Sequence, residues 1–344
     1  MASRQLGRPV KTALTRQQMF HLTTHRSDTI PRLRLGASAD GRLLAIGHET
    51  WSHSASFDNF FESASMQTRT LYAAPNRMTT HRSVKLDLPV SDSTRAPGES
   101  VGMLALEQAM DELAEKLGMD PIALRLRNEP TQDPERKVPY STRQLAACLR
   151  DGAKRFGWTD RKAQPGKVAQ GRLLIGIGVA AAIRGNLLRP SKCTVALDDK
   201  GVLTVRMAMT DIGTGSYTVL TQVAAAMLGL RIEDVRMELG DSDFPATPGS
   251  GGSWGAASAG SGLFDACTNL RVKLARKLGI GVTEAVFAGG HVAGAGRSRA
   301  LGALAGRPRP HRKRRDQAGR HGEEVFAACL RRPFRRGVGG SRYR

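Results

Sequence analysis

The sequence predicts an α+β protein made of two related halves, each an antiparallel hairpin with packed helices. Three observations carry that reading. Segments 32–49 (RLRLGASADGRLLAIGHE) and 193–208 (CTVALDDKGVLTVRMA) follow one plan, an alternating strand, an Asp- and Gly-bearing turn and a second strand. Segment 101–118 places Leu106, Met110, Leu113 and Leu117 on one helical face, and Gly118 supplies a stop. The 344 residues are also enough for two domains of roughly 150 residues each.

Composition narrows the class. With 40% hydrophobic and 24% charged residues the chain is neither disordered nor a membrane protein. Its longest apolar run, 173–183, falls short of the roughly 18 residues a bilayer span needs. The opening MASRQLGRPVKTALTRQQ has charge but no apolar core, so no secretory signal is read and a cytoplasmic location is expected, with the periplasm as alternative. Cys148, Cys193, Cys267 and Cys329 form no C-x-x-C pair, which argues against iron–sulfur or structural zinc sites in this chain. Lone cysteines in such patterns read as small buried hydrophobes. His21 and His25 stand four apart but HLTTH lacks the acid of a zincin helix. GGSWG (251–255) matches G-x-S-x-G, with Asp265 and His291 following in hydrolase order, yet no apolar strand leads directly into Ser253 as a nucleophile elbow requires.

The remaining elements follow in order. Asp120 and Pro121 read as N-cap and first position of a helix over DPIALRLRN. The Pro- and charge-rich segment 131–140 reads as a linker between a first domain (1–130) and a second (141–300). Ser141 is expected to cap a helix over STRQLAACLRDGAKRFGW. A helix near 217–228, a strand near 235–239 and a helix near 259–277 complete the second domain.

Residues 301–344 stand apart. The last 40 residues carry 13 Lys or Arg against three acidic residues, a large part of the net charge of +21. Dominated by Arg, Gly, Ala and Pro and without a period, this tail is not expected to build a core. We read it as an out-of-frame ending. The alternative is a non-catalytic basic protein that binds nucleic acid through these arginines.

Three glycine-bearing turns have the chemistry of a cofactor cradle. In STRAPGES (93–100), Arg95 precedes a turn that opens a helix, so a guanidinium stands beside helix-terminal N–H groups, with Glu99 charging the helix start. In TDIGTGSYTVLTQ (210–222), a strand ends at Gly213-Thr214-Gly215 and a helix begins, leaving N–H groups to face an anion. It is not a dinucleotide fingerprint, since G-x-G-x-x-G is incomplete. In ATPGSGGSWGAASAGSG (246–262), the glycines let the backbone approach a flat ligand.

In this order the segments resemble the molybdopterin-binding large subunit of the xanthine dehydrogenase and aldehyde oxidase family, most like its bacterial aldehyde-oxidising branch. The match is carried by LGRPVKTALTRQQMF (6–20), the first hairpin, YAAPNRMTTHRSVKLDLPV (72–90), TRAPGESVGMLALEQAMDELAEKLGMDPIALRLRN (94–128), CLRDGAKRFGW (148–158), TDIGTGSYTVLTQVAAAMLG (210–229) and the glycine-rich loop with GLFDAC (262–267). The resemblance implies oxidation of aldehydes or hydroxylation of heteroaromatics at a molybdenum centre, with iron–sulfur and FAD subunits as partners. It implies that the two halves are molybdopterin-binding. It places Arg95 beside substrate and metal ligands with Ala96 and Gly98 near it, Gly213, Thr214 and Gly215 on the pterin or its phosphate, and Gly251, Gly252, Ser253 and Trp254 in a further cofactor loop, the pterin being of the plain or cytosine dinucleotide form. The metal would be held by the cofactor's dithiolene, so no Cys or His ligand is expected. The family's upstream glycine-rich turn and its Gly-Glu segment, which supplies the base, are not found, so no catalytic base is nominated and the chain is expected to be an internal fragment, inactive alone. Gly-Thr-Gly stands where many members have Gly-Gln-Gly, and Thr94 where Met or Phe is usual.

Overall fold

The computed structural model of the chain describes residues 1–161 and 166–305 in full and 323–329 as backbone. Two compact units divide it, Met1–Arg184 and Gly185–Arg344.

The first unit opens with helices α1 (Ala2–Leu6) and α2 (Arg16–Leu22), the latter closed by a reciprocal Thr15–Gln18 capping box. Strands β1 (Thr29–Ala37) and β2 (Leu43–Ala55) form the expected antiparallel hairpin. Short helix α3 (Thr68–Leu71) then leads to β3 (Asn76–Leu86), which runs parallel to β2. Helix α4 (Glu99–Lys116) crosses the sheet, and α5 (Pro121–Arg127) follows, with the Asp120 carboxylate accepting from Ile122 and Ala123 amides as its sequence predicts. Leu106 and Met110 of α4 close on Leu43, Ile46, Leu71 and Tyr72, all buried. Each such side chain contributes about 1.5–3 kcal/mol.

Helix α6 (Leu145–Phe156) starts at Gln144, not Ser141, and it belongs to this same unit. The first compact unit therefore continues through 131–140 as far as Arg184. Leu149 packs with Ile122 and Trp158, and the peptides of Val179 and Ala181 hydrogen-bond to Arg125 and Glu107. Pro and charge in 131–140 mark a largely exposed loop. A two-residue ladder, β4 (Ala169–Gln170) with β5 (Leu173–Leu174), completes the unit.

The second unit repeats the plan. Strands β6 (Ser191–Leu197) and β7 (Leu203–Met207) form the hairpin, α7 (Ser216–Leu228) crosses over, and β8 (Val235–Leu239) lies parallel to β7. Helix α8 (Gly255–Leu278) then packs Leu263, Leu270 and Leu274 against Val195, Val205 and Leu220. Strands β9 (Val286–Ala288), β10 (His291–Gly294) and β11 (Arg297–Ala300) make a small antiparallel sheet. In both units a hairpin, a parallel third strand, a glycine-bearing turn and a long helix succeed one another. The hairpins were legible; β3 and its parallel pairing with β2 were not.

The core of the second unit runs past residue 300. Helix α9 (Leu301–Ala305) buries Leu301 and Ala305, and β12 (Glu323–Cys329) pairs antiparallel with β6. The segment read as a tail from residue 301 thus begins with residues that the core includes, Leu301 and Ala305. The rest of the basic tail, 306–322 and 330–344, lies outside the described residues. No described helix is long and apolar enough to cross a membrane. Cys193 and Cys267 are buried as expected, whereas Cys148 is exposed on α6. Burial pushes the Cys267 thiol up to about 12 and Cys193 further in the same direction.

The interior of the first unit turns polar toward one end of β2, where His48, Thr50, Ser52 and Ser54 are all buried. His48 Nδ1 is 2.8 Å from Thr68 Oγ1. Burial, and then the neighbouring His81, push its imidazole down from 6.5 to about 4. The unfolded chain takes up the proton at the ordinary value and the native one refuses it, so stability falls as pH drops from 6.5 toward about 4 and this contribution levels off below. Urea midpoints measured across that window should show a shallower slope in His48→Gln than in the wild type. Equal slopes would remove His48 as the origin.

Candidate functional site

The three glycine turns predicted as cradles are real turns, but two already hold a carboxylate of the chain itself. In the first unit, Ala96 adopts a φ of 51° and Gly98 one of 82°, and α4 begins immediately after. Gly98 is required by space as well as by φ, since a Cβ there would lie 2.6 Å from the Ser63 carbonyl oxygen. The Gly98 N–H donates to the buried Glu62 carboxylate. An internal anion thus occupies the N-terminus of α4, where the sequence suggested room for a ligand's. Arg95 is exposed and Ala96 half-buried. Glu99 does more than charge the helix start. It is buried, accepts from Gln67 Nε2 at 2.9 Å and pairs with Arg184.

In the second unit, the Gly213-Thr214-Gly215 turn ends on α7, with Gly213 and Gly215 at φ of 91° and 79°. Its amides are not vacant. Asp211 Oδ1 accepts from Gly213 N at 2.8 Å and Thr214 N at 3.0 Å. Although desolvation pushes the other way, bonds from the Gly213, Tyr217, Thr214 and Gly215 amides hold the Asp211 carboxyl below its usual range. The glycine Cα faces stand open, since a Cβ at Gly213 or Gly215 would meet nothing within 4 Å.

The third turn carries a donor, Trp254 Nε1, that has no partner among the described residues. Thr210 ties the loop to the segment entering the Gly-Thr-Gly turn, accepting from Ser250 N at 3.0 Å through its hydroxyl and from Ser250 Oγ at 2.5 Å through its carbonyl. The Trp254 indole lies over Gly251 and Gly252, where Cβ atoms would come 3.2 and 2.1 Å from the ring. Ser253 takes a φ of 57° on this loop, and β8 ends at Leu239, well before it, so the strand-fed elbow of a hydrolase is absent here. Trp254 lines a cavity of about 430 Å3 with Arg189, Ser191, Lys192 and Thr247. The Arg189 guanidinium sits 5.3 Å from the indole centroid. Trp254 Nε1 and Ser191 Oγ are both buried and have no hydrogen-bond partner among the described residues. Unmade bonds of this kind cost about 1–3 kcal/mol each, so two beside two cations fit a ligand that brings acceptor atoms, while the mostly apolar wall suits a flat ring.

Larger cavities exist in the first unit, one of about 1100 Å3 along α4 and one of about 660 Å3 by α6. The first is walled by Glu99, Asp111, Glu112 and Glu115, the wrong sign for an anion, and neither touches Arg95. Among the described residues no group of three or more His, Cys, Asp or Glu is placed to hold a metal.

Comparison with known families decides the relationship. Models of the molybdopterin cofactor-binding domain match residues 1–129 and 151–326. The chain belongs to the molybdopterin-binding family of xanthine dehydrogenases and aldehyde oxidoreductases. It is 47% identical over 302 residues to the aldehyde oxidoreductase molybdenum-binding subunit PaoC of Escherichia coli K12, covering 88% of this chain and 41% of PaoC. To the xanthine dehydrogenase molybdenum-binding subunit of Escherichia coli O157:H7 it is 27% identical over 288 residues, 80% of this chain and 38% of that one. The fold matches quinoline 2-oxidoreductase of Pseudomonas putida 86 with a TM-score of 0.74 at 21% identity, over 95% of this chain and 46% of that one. It matches the aldehyde oxidoreductase of Desulfovibrio gigas with a TM-score of 0.67 at 25% identity, over 79% and 31%. The chain therefore spans about two fifths of the length of these curated relatives. The α+β class and the paired molybdopterin-binding halves read from the sequence hold for this family member.

Sequence reasoning placed all three turns but missed their partners. Asp211 was within reach, since an Asp two residues before the first glycine is a standard side-chain-to-backbone turn. Glu62, Arg189, Ser191 and Lys192 carry no local signature. Only the fold brings Glu62 to Gly98, 36 residues on.

Proposed function

We propose that this chain supplies cofactor-binding residues of a molybdenum subunit that oxidises aldehydes, or hydroxylates heteroaromatics, with oxygen derived from water. The observation that carries the reading is the pair of unpartnered buried donors, Trp254 Nε1 and Ser191 Oγ, on a cavity walled by Arg189 and Lys192. Molybdopterin offers phosphate and pterin acceptors, which is what that wall lacks. Gly251, Gly252 and Ser253 then shape the loop from which Trp254 reaches the cofactor. Gly213, Thr214 and Gly215 form a Cβ-free surface for the pterin, rigid because Asp211 already ties its amides. Ala96 and Gly98 present backbone, and the exposed Arg95 guanidinium orients a substrate or oxo oxygen, a role that a planar fork of N–H donors suits. When bound, the cofactor supplies the two-electron redox chemistry and, through its dithiolene, the ligands of the metal. The cytosine dinucleotide form, and iron–sulfur and FAD subunits as partners, belong to the same proposal and rest on likeness to aldehyde oxidoreductase subunits.

The test is the pterin content of the chain, co-produced with molybdopterin maturation machinery and assayed by fluorescence after oxidation. Trp254→Phe keeps the ring and deletes the donor. It should lower retained pterin about tenfold, the value of one hydrogen bond to a charged acceptor. A wild-type chain that retains no pterin, or a Trp254→Phe chain that retains as much as wild type, would overturn the assignment.

A further inference from the structure

Arg95 is the one predicted catalytic contact, yet its own turn is conformationally improbable. Ala96 holds a positive φ that a residue with a Cβ adopts rarely and only where the surroundings over-determine it. The structure shows what does so. The chain at 25–26 runs beside 90–92, with His25 N bonded to Val90 O at 3.0 Å and Asp92 N to His25 O at 3.0 Å. His53 pins the same crossing, accepting from Asp28 N at 3.0 Å through Nδ1 and sitting 2.9 Å from Ser91 Oγ through Nε2. Arg26 is thereby delivered to the turn. One Nη donates to the Arg95 carbonyl and the other to Glu62 Oε1 at 2.8 Å. Glu62, fully buried, takes the Gly98 N–H on that same oxygen.

The ends of the turn are thus tied to one ion pair. Arg95 is held through its carbonyl by Arg26, and Gly98 through its amide by Glu62, with the strained Ala96 between them. Neither Arg26 nor Glu62 is adjacent to the turn in sequence. Nor does the loop that carries Glu62 need the pair merely to stay put, because Ser63 and Ala64 also pack directly on Gly98 and Gly102.

We infer that Arg26 and Glu62 are the positioning residues of this site, an ion pair whose task is to fix the Arg95–Gly98 turn in the shape that meets cofactor and substrate. They act through the turn and touch neither ligand. The inference rests on the proposed function for its purpose, but not for its geometry, and the two fail separately.

The experiment measures amide exchange at Gly98 and Ser100 in the full chain, with pterin retention as a second readout. Glu62→Ala should speed exchange at Gly98 by about tenfold or more while leaving amides of α5 and β2 in the same unit unchanged, the signature of a local rather than global opening. Glu62→Gln, which keeps an acceptor but not the charge, should fall between it and wild type. Arg26→Met, at a side chain partly open to solvent, should speed the same amides, and the double variant should be no faster than Glu62→Ala alone, as expected of groups acting as a unit. Pterin retention should fall in Glu62→Ala as it should in Arg95→Ala. Unchanged Gly98 exchange in both Glu62→Ala and Arg26→Met overturns the clamp. Faster exchange with pterin lost only in Arg95→Ala overturns its positioning role. Pterin retention unchanged in all three variants overturns the placement of the cofactor at this turn, and with it the purpose assigned to the pair.

Discussion

Arg125→Met is expected to destabilise the first unit by about 3–5 kcal/mol, the usual cost of removing one member of a buried ion pair. Arg125 is completely buried, and each of its donors is engaged. Its Nε meets Glu107 Oε2 at 2.8 Å, Nη1 meets Asp111 Oδ1 at 2.8 Å and Pro121 O at 3.0 Å, and Nη2 meets Glu107 O at 3.2 Å and Val179 O at 3.1 Å. Glu107 in turn accepts from the Tyr72 hydroxyl at 2.7 Å and the Ala181 amide at 2.6 Å. Burial and the Glu107 charge together push the Tyr72 hydroxyl far above its ordinary value, so it stays a donor throughout the range in which the protein is handled. Deleting the guanidinium leaves Glu107 charged and uncompensated in an apolar surround. Arg127→Met, at a half-exposed side chain that bonds Asp40, is the control and should cost about 0–1 kcal/mol. Arg125→Met with Glu107→Met should recover most of the loss, because two apolar groups can replace a buried pair almost neutrally. Urea midpoints of the four proteins decide it. Equal losses at Arg125 and Arg127 would mean that the network carries no stability.

This network also shows where sequence reasoning stops. Hairpins, α4, α5, α7, α8 and the three glycine turns were legible because each is specified by neighbours in sequence: alternation, a helical stripe, an Asp-Pro cap, a run of glycines. Nothing local in the sequence sets Arg125 or Glu107 apart from the charged residues of a solvated helix face. Their burial is decided by Val179 and Ala181, more than 50 residues downstream, whose peptides complete the cluster. The site divides in the same way. Glycines announce a turn, but whether the helix beyond has a vacant N-terminus depends on whether a carboxylate arrives there. At α7 the carboxylate is Asp211, legible in principle. At α4 it is Glu62, delivered by the fold alone. Two of the three predicted anion cradles were therefore filled before any ligand came. At the third, Trp254 Nε1 has no partner among the described residues, and Ser191 and Arg189, which precede it by some 60 residues, bring no carboxylate.

Gly102→Ala carries the other large expected effect, because it strikes the same junction from the helix side. A Cβ on Gly102 would lie 1.6 Å from the Ala64 carbonyl oxygen and 2.5 Å from its carbon, both backbone atoms with no rotamer by which to yield. The methyl is accommodated only if the first turns of α4 lift away from segment 62–67. That movement breaks the Glu62 bond to Gly98 and the Gln67 bond to Glu99, so the cost exceeds that of ordinary overpacking, about 1–3 kcal/mol, by the lost charged hydrogen bonds. We expect a loss of about 3–5 kcal/mol. Gly152→Ala in α6 is the opposite case, since a Cβ there meets nothing within 4 Å. It should stabilise by about 0.5–1 kcal/mol through helix propensity alone. The contrast separates the two reasons a helix can contain glycine. If both substitutions shift the urea midpoint alike, the close approach of Ala64 to α4 is wrong. With it would go the account of how Glu62 reaches the turn that presents Arg95.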